Sequence, residues 1–490
     1  MAAPPHDAGG EDLISDLPFE ILSAIISRLA TAEAARTAVL STRWRDAWRG
    51  TPLRLDDLEL PVPAPARARA AAPAPWASRA DVITRALASH PGPVTRFRLS
   101  RTTLRARVPV AEAWFRELAA AKRAREVSLR CPPEWCHLAL ADPLLACPTL
   151  ETLALGECRF SDAGAAAVSA ARLTELSLSS THLSEAALQS VLSGCPALRS
   201  VVLRHVQGPR RIRVSSCRNL VLLGVWKYKH LEELTVEDAP RLERLLGAVH
   251  LGVAITIVGA PKLTALGYLV VGLRRIIPND ESAHAQEKVG KGLCVPIHSV
   301  KILAISVAFS SKKDMEKVMG LLKCFPFLET LHIQGKHGED EDDIVGSDYY
   351  QKLDPIRCVA NNLKSVRLES KAENRNMLEF ACFILANAQV LQIMRIQSAK
   401  PCFPASTTGQ QNLLSQCHMA SVEAKVMFQV MKDANRKEFS LEAVNALLIL
   451  STATSTSWAT KLTLNSDGDY SSSKFRHFYI VVFWLSKSTL

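Results

Sequence analysis

Residues 147–160 read CPTLETLALGECRF, and within them Leu150, Leu153 and Leu155 decide the fold. In L-x-x-L-x-L the last two leucines alternate with polar residues, so on a strand both point to the same side. The first leucine packs in the turn beside them. A unit this short cannot close a core around three apolar side chains. Copies stacked side by side can, each covering the next, with the strands joined as a parallel ladder. The pattern therefore demands copies.

Copies follow. LTELSL begins at Leu173, LRSVVL at Leu198, LVLLGV at Leu220, LERLLG at Leu242 and LTALGY at Leu263. The spacings of 23, 25, 22, 22 and 21 residues fall in the leucine-rich-repeat range. LEELTV at Leu231 offers a competing register and leaves the phase open between about 220 and 265. The unit resumes as LETLHI at Leu328, LKSVRL at Leu363 and LQIMRI at Leu391. Cys147-Pro148, Cys195-Pro196, Ala239-Pro240 and Ala260-Pro261 precede several units, where proline ends one element and feeds the strand. The same alternation turns the intervening residues outward, onto the concave face expected of such a solenoid. They are Thr152, Ala154, Glu175, Ser177, Ser200, Val202, Arg204, Glu233, Thr235, Thr330, His332, Ser365, Arg367 and Glu369. They are mostly small and mixed in charge, and together they make the candidate surface for a target protein.

Ahead of the repeats stands DLPFEILSAIISRLATAEAARTAVLSTRWRDAWR, Asp16 to Arg49. Asp16 or Ser15 suits a helix cap and Pro18 a first helical turn. Leu17, Ile21, Ile25 and Leu29 recur every four residues, and Leu22 and Ile26 widen the stripe. Thr31 opens a second helix with Ala35, Val39 and Leu40 on its inner side. Ser41 caps a third, on which Trp44 and Trp48 share a face. Three short helices make a marginal core, so part of this apolar surface is expected to dock on a partner; packing against the rest of the chain is the competing reading.

The segments DLISDLPFEIL, SRL, EAARTAVLSTRWRDAWR and LRLDD resemble the F-box in the form common in plants. That resemblance covers Leu13 to Leu55. It implies a three-helix module that inserts into the adaptor Skp1, and through it joins a cullin-based (SCF) ubiquitin ligase. Carried over by motif position, Leu17, Pro18, Ile21, Leu22, Ile25 and Leu29 form the first contact line, and Leu40, Trp44 and Trp48 the remainder. Thr42 departs from the basic residue frequent before Arg43-Trp44, which alters rim charge only. The repeats resemble those of plant F-box/LRR proteins. From Arg357 to about Phe428, CVANNLKSVRL, MLEFACFILANAQVLQIMRI and NLLSQCHMASVEAKVMF look like the FBD domain that closes that family, with weaker acidic and glycine positions at ESKAENRNM.

The resulting fold class is α/β: a three-helix F-box followed by a leucine-rich-repeat solenoid with a parallel strand ladder. The expected divisions are a disordered start at 1–12, the F-box at 13–55, a Pro/Ala-rich linker at 56–80, repeats at 81–350, an FBD-like region at 351–430 and a divergent, poorly ordered tail at 431–490. After the linker and ahead of the periodic units, VTRFRLSR reads as a strand, and VAEAWFRELAAAKRAREVSLR as a helix running into a strand. GEDEDD (338–343) reads as a solvated loop, and FYIVVFWL (478–485) is too short to span a bilayer as a helix.

Net charge is +11, with much of the excess between Pro61 and Arg130, in Arg67, Arg69, Arg96, Arg98, Arg101, Arg105 and Arg107. These arginines lack interleaved aromatics or a zinc-finger or RNP pattern, which favours a solvated basic surface over a nucleic-acid site. Twelve cysteines are spread thinly. Cys147, Cys195, Cys324 and Cys382 stand in apolar contexts and read as reduced and buried. With no basic or apolar leader in MAAPPHDAGG, this points to an intracellular protein, nuclear or cytoplasmic. Cys131, Cys136 and His137 have the wrong spacing for a zinc knuckle or haem attachment. No phosphate-binding, nucleophile-elbow or HExxH motif is present. The sequence thus predicts a non-enzymatic recognition subunit of an SCF-type ligase, without cofactor or metal and without membrane attachment. The alternatives are a repeat scaffold outside any ligase, working through its basic N-terminal third on nucleic acid, and a non-functional gene product, which the divergent tail suggests.

Overall fold

The computed structural model describes residues 14, 17–60, 79–100, 102, 107–130, 142–215, 217–228, 230–249, 253–270, 276–278, 296–335, 347–370, 375–398 and 417–430. The chain divides into two compact units, Met1–Ser299 and Val300–Leu490. Both are parallel ladders built on the leucine spacing.

The first unit opens with three helices, α1 (Phe19–Arg28), α2 (Thr31–Thr37) and α3 (Thr42–Gly50). Thr31 starts the second and Ser41 caps the third, its hydroxyl accepting from Trp44 N at 3.2 Å, as expected. Pro18 occupies the N-cap of α1 itself, so the helix starts one residue later than a first-turn proline would give; Asp16 and Ser15 lie outside the described residues.

Strand β1 (Leu53–Asp56) follows within the same module and pairs with β2 (Val94–Leu99), reached through α4 (Arg79–Ser89). LRLDD is therefore the first rung of the ladder as well as the end of the helical module. The next residue, Asp57, is fully buried and accepts from Ser100 N at 2.8 Å and from Thr102 N at 2.7 Å.

After α5 (Val108–Ala120), β3 (Glu126–Arg130), α6 (Asp142–Leu145), β4 (Thr152–Gly156), α7 (Asp162–Ala166), β5 (Glu175–Ser179), α8 (Glu185–Ser193) and β6 (Ser200–Arg204) alternate in order. Beyond β6 the described elements of this unit are all strands: β7 (Arg211–Ser215), β8 (Leu222–Tyr228), β9 (Glu233–Glu237), β10 (Arg244–Val249), β11 (Ala254–Val258), β12 (Ala265–Val270) and β13 (Ile276–Pro278). The even-numbered strands from β8 to β12 extend the main ladder, and the odd-numbered strands form a second ladder, β7-β9-β11-β13.

This resolves the two registers around Leu231. Both are occupied, LVLLGV and LERLLG on the main ladder and LEELTV on the second. The connecting segments explain the change. DAGAA and EAALQSVLS, rich in alanine and leucine, take helix. RIRVS, ELTVE and AITIV alternate β-branched residues and take strand. Ile212, Leu234 and Ile255 share one register, Val214, Val236 and Ile257 another, and all six are buried.

Each main-ladder unit enters through the same turn. Leu150 N bonds Cys147 O, Leu198 N bonds Cys195 O, Leu242 N bonds Ala239 O and Leu263 N bonds Ala260 O. Proline sits at the second position of these four, where its fixed φ suits the turn. Units leave through a left-handed residue two places past the last leucine-type position: Glu157 (φ 54°), Ser180 (50°), His205 (51°) and Asp238 (52°). Cys158, Thr181 and Val206, which follow the first three of these, are buried again and close the unit.

The second unit holds β14 (Ile302–Val307), α9 (Lys312–Cys324), β15 (Thr330–Gly335), α10 (Ser347–Gln351), α11 (Arg357–Asn361), β16 (Ser365–Ser370), α12 (Arg375–Asn387), β17 (Ile393–Ser398) and β18 (Lys425–Val430). Its five strands pair parallel in sequence order. The 61–78 part of the expected linker, Cys131, Cys136, His137, GEDEDD, residues 1–13 and everything after 430, FYIVVFWL included, lie outside the described residues.

Candidate functional site

The helical module packs Leu22, Ile26, Ala34, Trp44 and Ala47 into a small core, against which Leu17, Ile25, Leu29 and Trp48 are partly buried. Two of the nine expected adaptor contacts, Leu22 and Trp44, are thereby removed from the surface: Leu22 is fully buried and Trp44 is 5 % exposed. An every-fourth-residue stripe on α1 spans both sides of its inner edge, and burial selects 22 and 26, not 21 and 25. Trp48 meets the first repeat, its ring edge-on to that of His90 at 4.8 Å. The two tryptophans thus serve this chain.

The second correction concerns α2. Thr31, Ala34 and Thr37 face inward; Ala35, Val39 and Leu40 do not. The helix ends at Thr37, and the next turn tightens, with Val39 N bonding Arg36 O and Leu40 N bonding Thr37 O. That three-residue turn shifts the phase that a helix continued to Leu40 would have had. Val39 and Leu40 are left 82 % and 64 % exposed. Ile14, Phe19 and Ile21 are about half exposed or more, and Pro18 is exposed between them. The apolar surface open to a partner is therefore Ile14, Phe19, Ile21, Val39 and Leu40. The sequence reading missed Ile14, Phe19 and Val39 in this role.

The module is fixed to the ladder by polar contacts. Thr31 N and Oγ1 donate to Glu59 Oε2 at 2.7 and 3.0 Å, Arg54 Nη1 donates to Ser27 O at 2.7 Å, and Asp56 N donates to Thr31 Oγ1 at 3.2 Å. His90, 1 % exposed, lies with Nε2 3.1 Å from Trp48 O, and Lys122 Nζ donates to His90 O at 2.5 Å. Burial lowers the pKa of the His90 ring, and the nearby Lys122 charge acts in the same direction.

On the first unit's open ladder face, Thr152, Glu175, Ser200 and Leu222 stand in one row, and Ala154, Ser177, Val202 and Gly224 in the next. All but Gly224 are partly exposed, as the alternation predicts. Gly224 is covered by Trp226, since a Cβ there would lie 2.0 Å from the indole ring. Arg204 stands beside Trp226 in register. Burial raises the Glu175 carboxyl above its usual range, and Glu126 adds to the effect.

Glu233 and Thr235 do not belong to this face. They lie on β9 in the second ladder, where Arg211 Nε is 3.9 Å from Glu233 Oε2, and Thr235 is buried. The six-residue pattern is the same on both ladders, so spacing alone could not separate them.

In the second unit Thr330 and Ser365 are partly exposed, while His332 and Glu369 are 4 % and 3 % exposed and withdrawn from contact. His332 Nε2 lies 3.2 Å and Arg367 Nε 2.7 Å from Glu369 Oε1, and Arg367 also donates to Gln397 Oε1 at 2.7 Å. Burial opposes the Glu369 charge, yet His332 and Arg367 together hold its pKa below the ordinary carboxylate value.

The three described arginines of the seven singled out in the basic N-terminal third are ion-paired. Arg96 pairs with Glu126 at 2.6 Å, Arg98 with Asp56 at 3.3 Å and Arg107 with Asp81 at 2.7 Å. Arg67, Arg69, Arg101 and Arg105 lie outside the described residues. The cysteine reading needs one correction: Cys147, Cys195 and Cys324 are buried thiols, but Cys382 is disulfide-bonded to Cys417. No helix among the described residues is long and apolar enough to cross a membrane.

Three helices with an uncovered apolar rim, tied to a parallel repeat ladder, define an F-box protein with leucine-rich repeats, a class whose role is protein interaction. Family models agree: the F-box domain matches residues 14–56, the LRR repeats of the FBD-associated F-box protein At5g56370 match 111–333, and the FBD matches 351–396. The chain carries all three domains and has the F-box/FBD/LRR-repeat architecture.

Among its relatives in Arabidopsis thaliana, the F-box/FBD/LRR-repeat protein At1g13570 is 24 % identical over 79 % of this chain and 91 % of its own length. The F-box/LRR-repeat protein At1g06630 is 26 % identical over 77 % and 98 %. A putative F-box/LRR-repeat protein, At3g18150, is 32 % identical over 44 % and 42 %.

Proposed function

We propose that this chain is the target-recognition subunit of an SCF-type ubiquitin ligase. Its F-box docks a Skp1-like adaptor and through it a cullin, and its open ladder face holds the protein to be modified. The chain itself supplies no catalysis. It raises the effective concentration of its target beside the ubiquitin-loaded enzyme. The observation that carries this reading is the set Ile14, Phe19, Ile21, Val39 and Leu40, left exposed on a module that has already closed its own core. Large apolar side chains left exposed together on one small module are the kind of surface a protein partner covers. The ion-paired arginines of the basic third speak against the nucleic-acid alternative.

The test is copurification of the full chain with a Skp1-like adaptor at high salt, which apolar burial survives and charge-driven binding does not. Wild type is expected to retain the adaptor at about 1 M salt, and Val39→Asp/Leu40→Asp to lose it while keeping its melting temperature. Retention by the double variant, or loss of the wild-type complex in salt, would count against the proposal.

A further inference from the structure

We infer that Cys382 and Cys417 form a thiol–disulfide exchange site, with low-molecular-weight thiols of the glutathione class as reaction partner, whose state fixes or releases the last described strand of the second unit. This inference is independent of adaptor binding. The two sulfurs are bonded, Cys382 on α12 and Cys417 on the segment that leads into β18, 35 residues apart in sequence. Both residues are partly exposed.

The free cysteines of the described residues differ. All six are buried. Cys358 Sγ donates to Leu322 O at 3.1 Å and Cys324 Sγ to Gly320 O at 3.3 Å. Burial pushes the Cys195 thiol up to about 11 and the Cys358 thiol up to about 12. A thiol that does not ionise near neutral pH neither attacks a disulfide nor reacts readily with an oxidant. Exchange chemistry in the described structure therefore concentrates at the bonded pair.

What the pair holds is the weakest-seated strand of its ladder. The inner strands of this unit bury Leu331, Ile333, Val366 and Leu368 completely. On β18, Val426 and Phe428 are only partly buried, Met427 is 42 % exposed, and the neighbouring Val422 is fully exposed. Beside the bridge, Ala420 N donates to Leu385 O at 2.9 Å, Ser421 Oγ to Leu391 O at 2.7 Å and Lys425 N to Gln392 O at 2.9 Å, and β18 pairs with β17 from Lys425 to Val430. Beyond those backbone bonds the strand buries little apolar surface, so the covalent link adds to what keeps β18 on β17.

Opening takes two steps. A glutathione thiolate attacks one bridge sulfur, the S–S bond breaks, and a mixed disulfide forms while the other cysteine leaves as thiolate and takes a proton. A second glutathione thiolate attacks the glutathione sulfur of the mixed disulfide, which releases oxidised glutathione and a second cysteine thiol. The protein gains two electrons, and two glutathiones lose one each. Closure is the reverse.

The full chain, equilibrated in reduced or oxidised glutathione buffer, would be alkylated, peptide-mapped and followed by amide hydrogen exchange. The expected result is a Cys382–Cys417 linked peptide that forms and disappears reversibly. Exchange across Lys425–Val430 should be roughly tenfold or more faster in the open form, with β14 to β16 unchanged. Cys382→Ser should exchange fast in both buffers; if that variant does not fold, the wild-type comparison decides alone. Equal exchange in the two buffers, failure of the bridge to form in the oxidised one, or pairing of either cysteine with Cys402 would overturn the inference.

Discussion

Truncating Val39 and Leu40 together to alanine should separate adaptor binding from folding. Burying a side chain of this kind completely contributes about 1.5–3 kcal/mol. Val39 is 82 % and Leu40 64 % exposed, so the free chain has realised little of it. Each retains roughly 1–2 kcal/mol to gain against a partner, and losing both should weaken the adaptor complex about 30- to 700-fold. Leu22→Ala is the opposite case. Leu22 is fully buried among Ile26, Ala34, Trp44 and Ala47, so its truncation should cost about 2–5 kcal/mol of folding stability. Calorimetric titration of each full-length variant with purified adaptor, alongside thermal melting, reads both quantities. The reasoning is refuted if Val39→Ala/Leu40→Ala binds within about threefold of wild type, or melts as early as Leu22→Ala.

Other expectations concern stability. His90 has a folded pKa below its ordinary value because burial disfavours the charged ring. The unfolded chain therefore takes up a proton that the folded chain refuses. Stability should be full above about pH 6.5 and fall as pH drops below it; Lys122 and its partner Glu117 face the same joint. His90→Asn should melt earlier at about pH 7.5 but show a shallower decline toward about pH 5.5. Gly247→Ala would place a Cβ 2.2 Å from Val225 O, and denaturant titration should show a loss of about 1–3 kcal/mol or more. Gly320→Ala on α9 meets nothing within 4 Å and should gain about 0.5–1 kcal/mol. Glu369→Gln leaves the partly exposed Arg367 beside a neutral group and should cost about 1–3 kcal/mol at neutral pH. Because the folded Glu369 pKa is lowered, that cost should shrink as pH falls through the carboxylate range.

The units that keep leucine at their defining positions were readable from spacing alone, because spacing is what stacking selects. Units that keep the shape with other residues were harder to see. Val94, Phe97 and Leu99 on β2, Ala124, Val127 and Leu129 around β3, and Val300, Leu303 and Ile305 on β14 occupy the same three places and are all buried. A search for V-x-x-L-x-I beside L-x-x-L-x-L would have found β14. The second ladder escaped notice because a six-residue pattern records which side chains are apolar and says nothing of which neighbour covers them. At the helical module the motif located the uncovered apolar side chains, but motif positions mix residues that build the core with residues left on the surface. Leu22 and Ile21 are adjacent in sequence and opposite in burial, and only the packing of α1 on α3 distinguishes them. Val39 and Leu40 needed the turn after Thr37, which no periodicity announces.

The pairing of Leu53–Asp56 with Val94–Leu99 has a practical consequence. The helical module contributes the outermost rung, so it shields the amide edge of its neighbour and, through Leu53 and Leu55, one flank of the apolar layer that includes Phe97. Amputating residues 1–60 to make an adaptor-blind decoy would leave a raw, sticky lip at the start of the repeats. Such a decoy would gather bystanders as well as genuine cargo. Surface substitutions at Val39 and Leu40 would, on the proposed function, blind the protein to its adaptor and leave that lip covered.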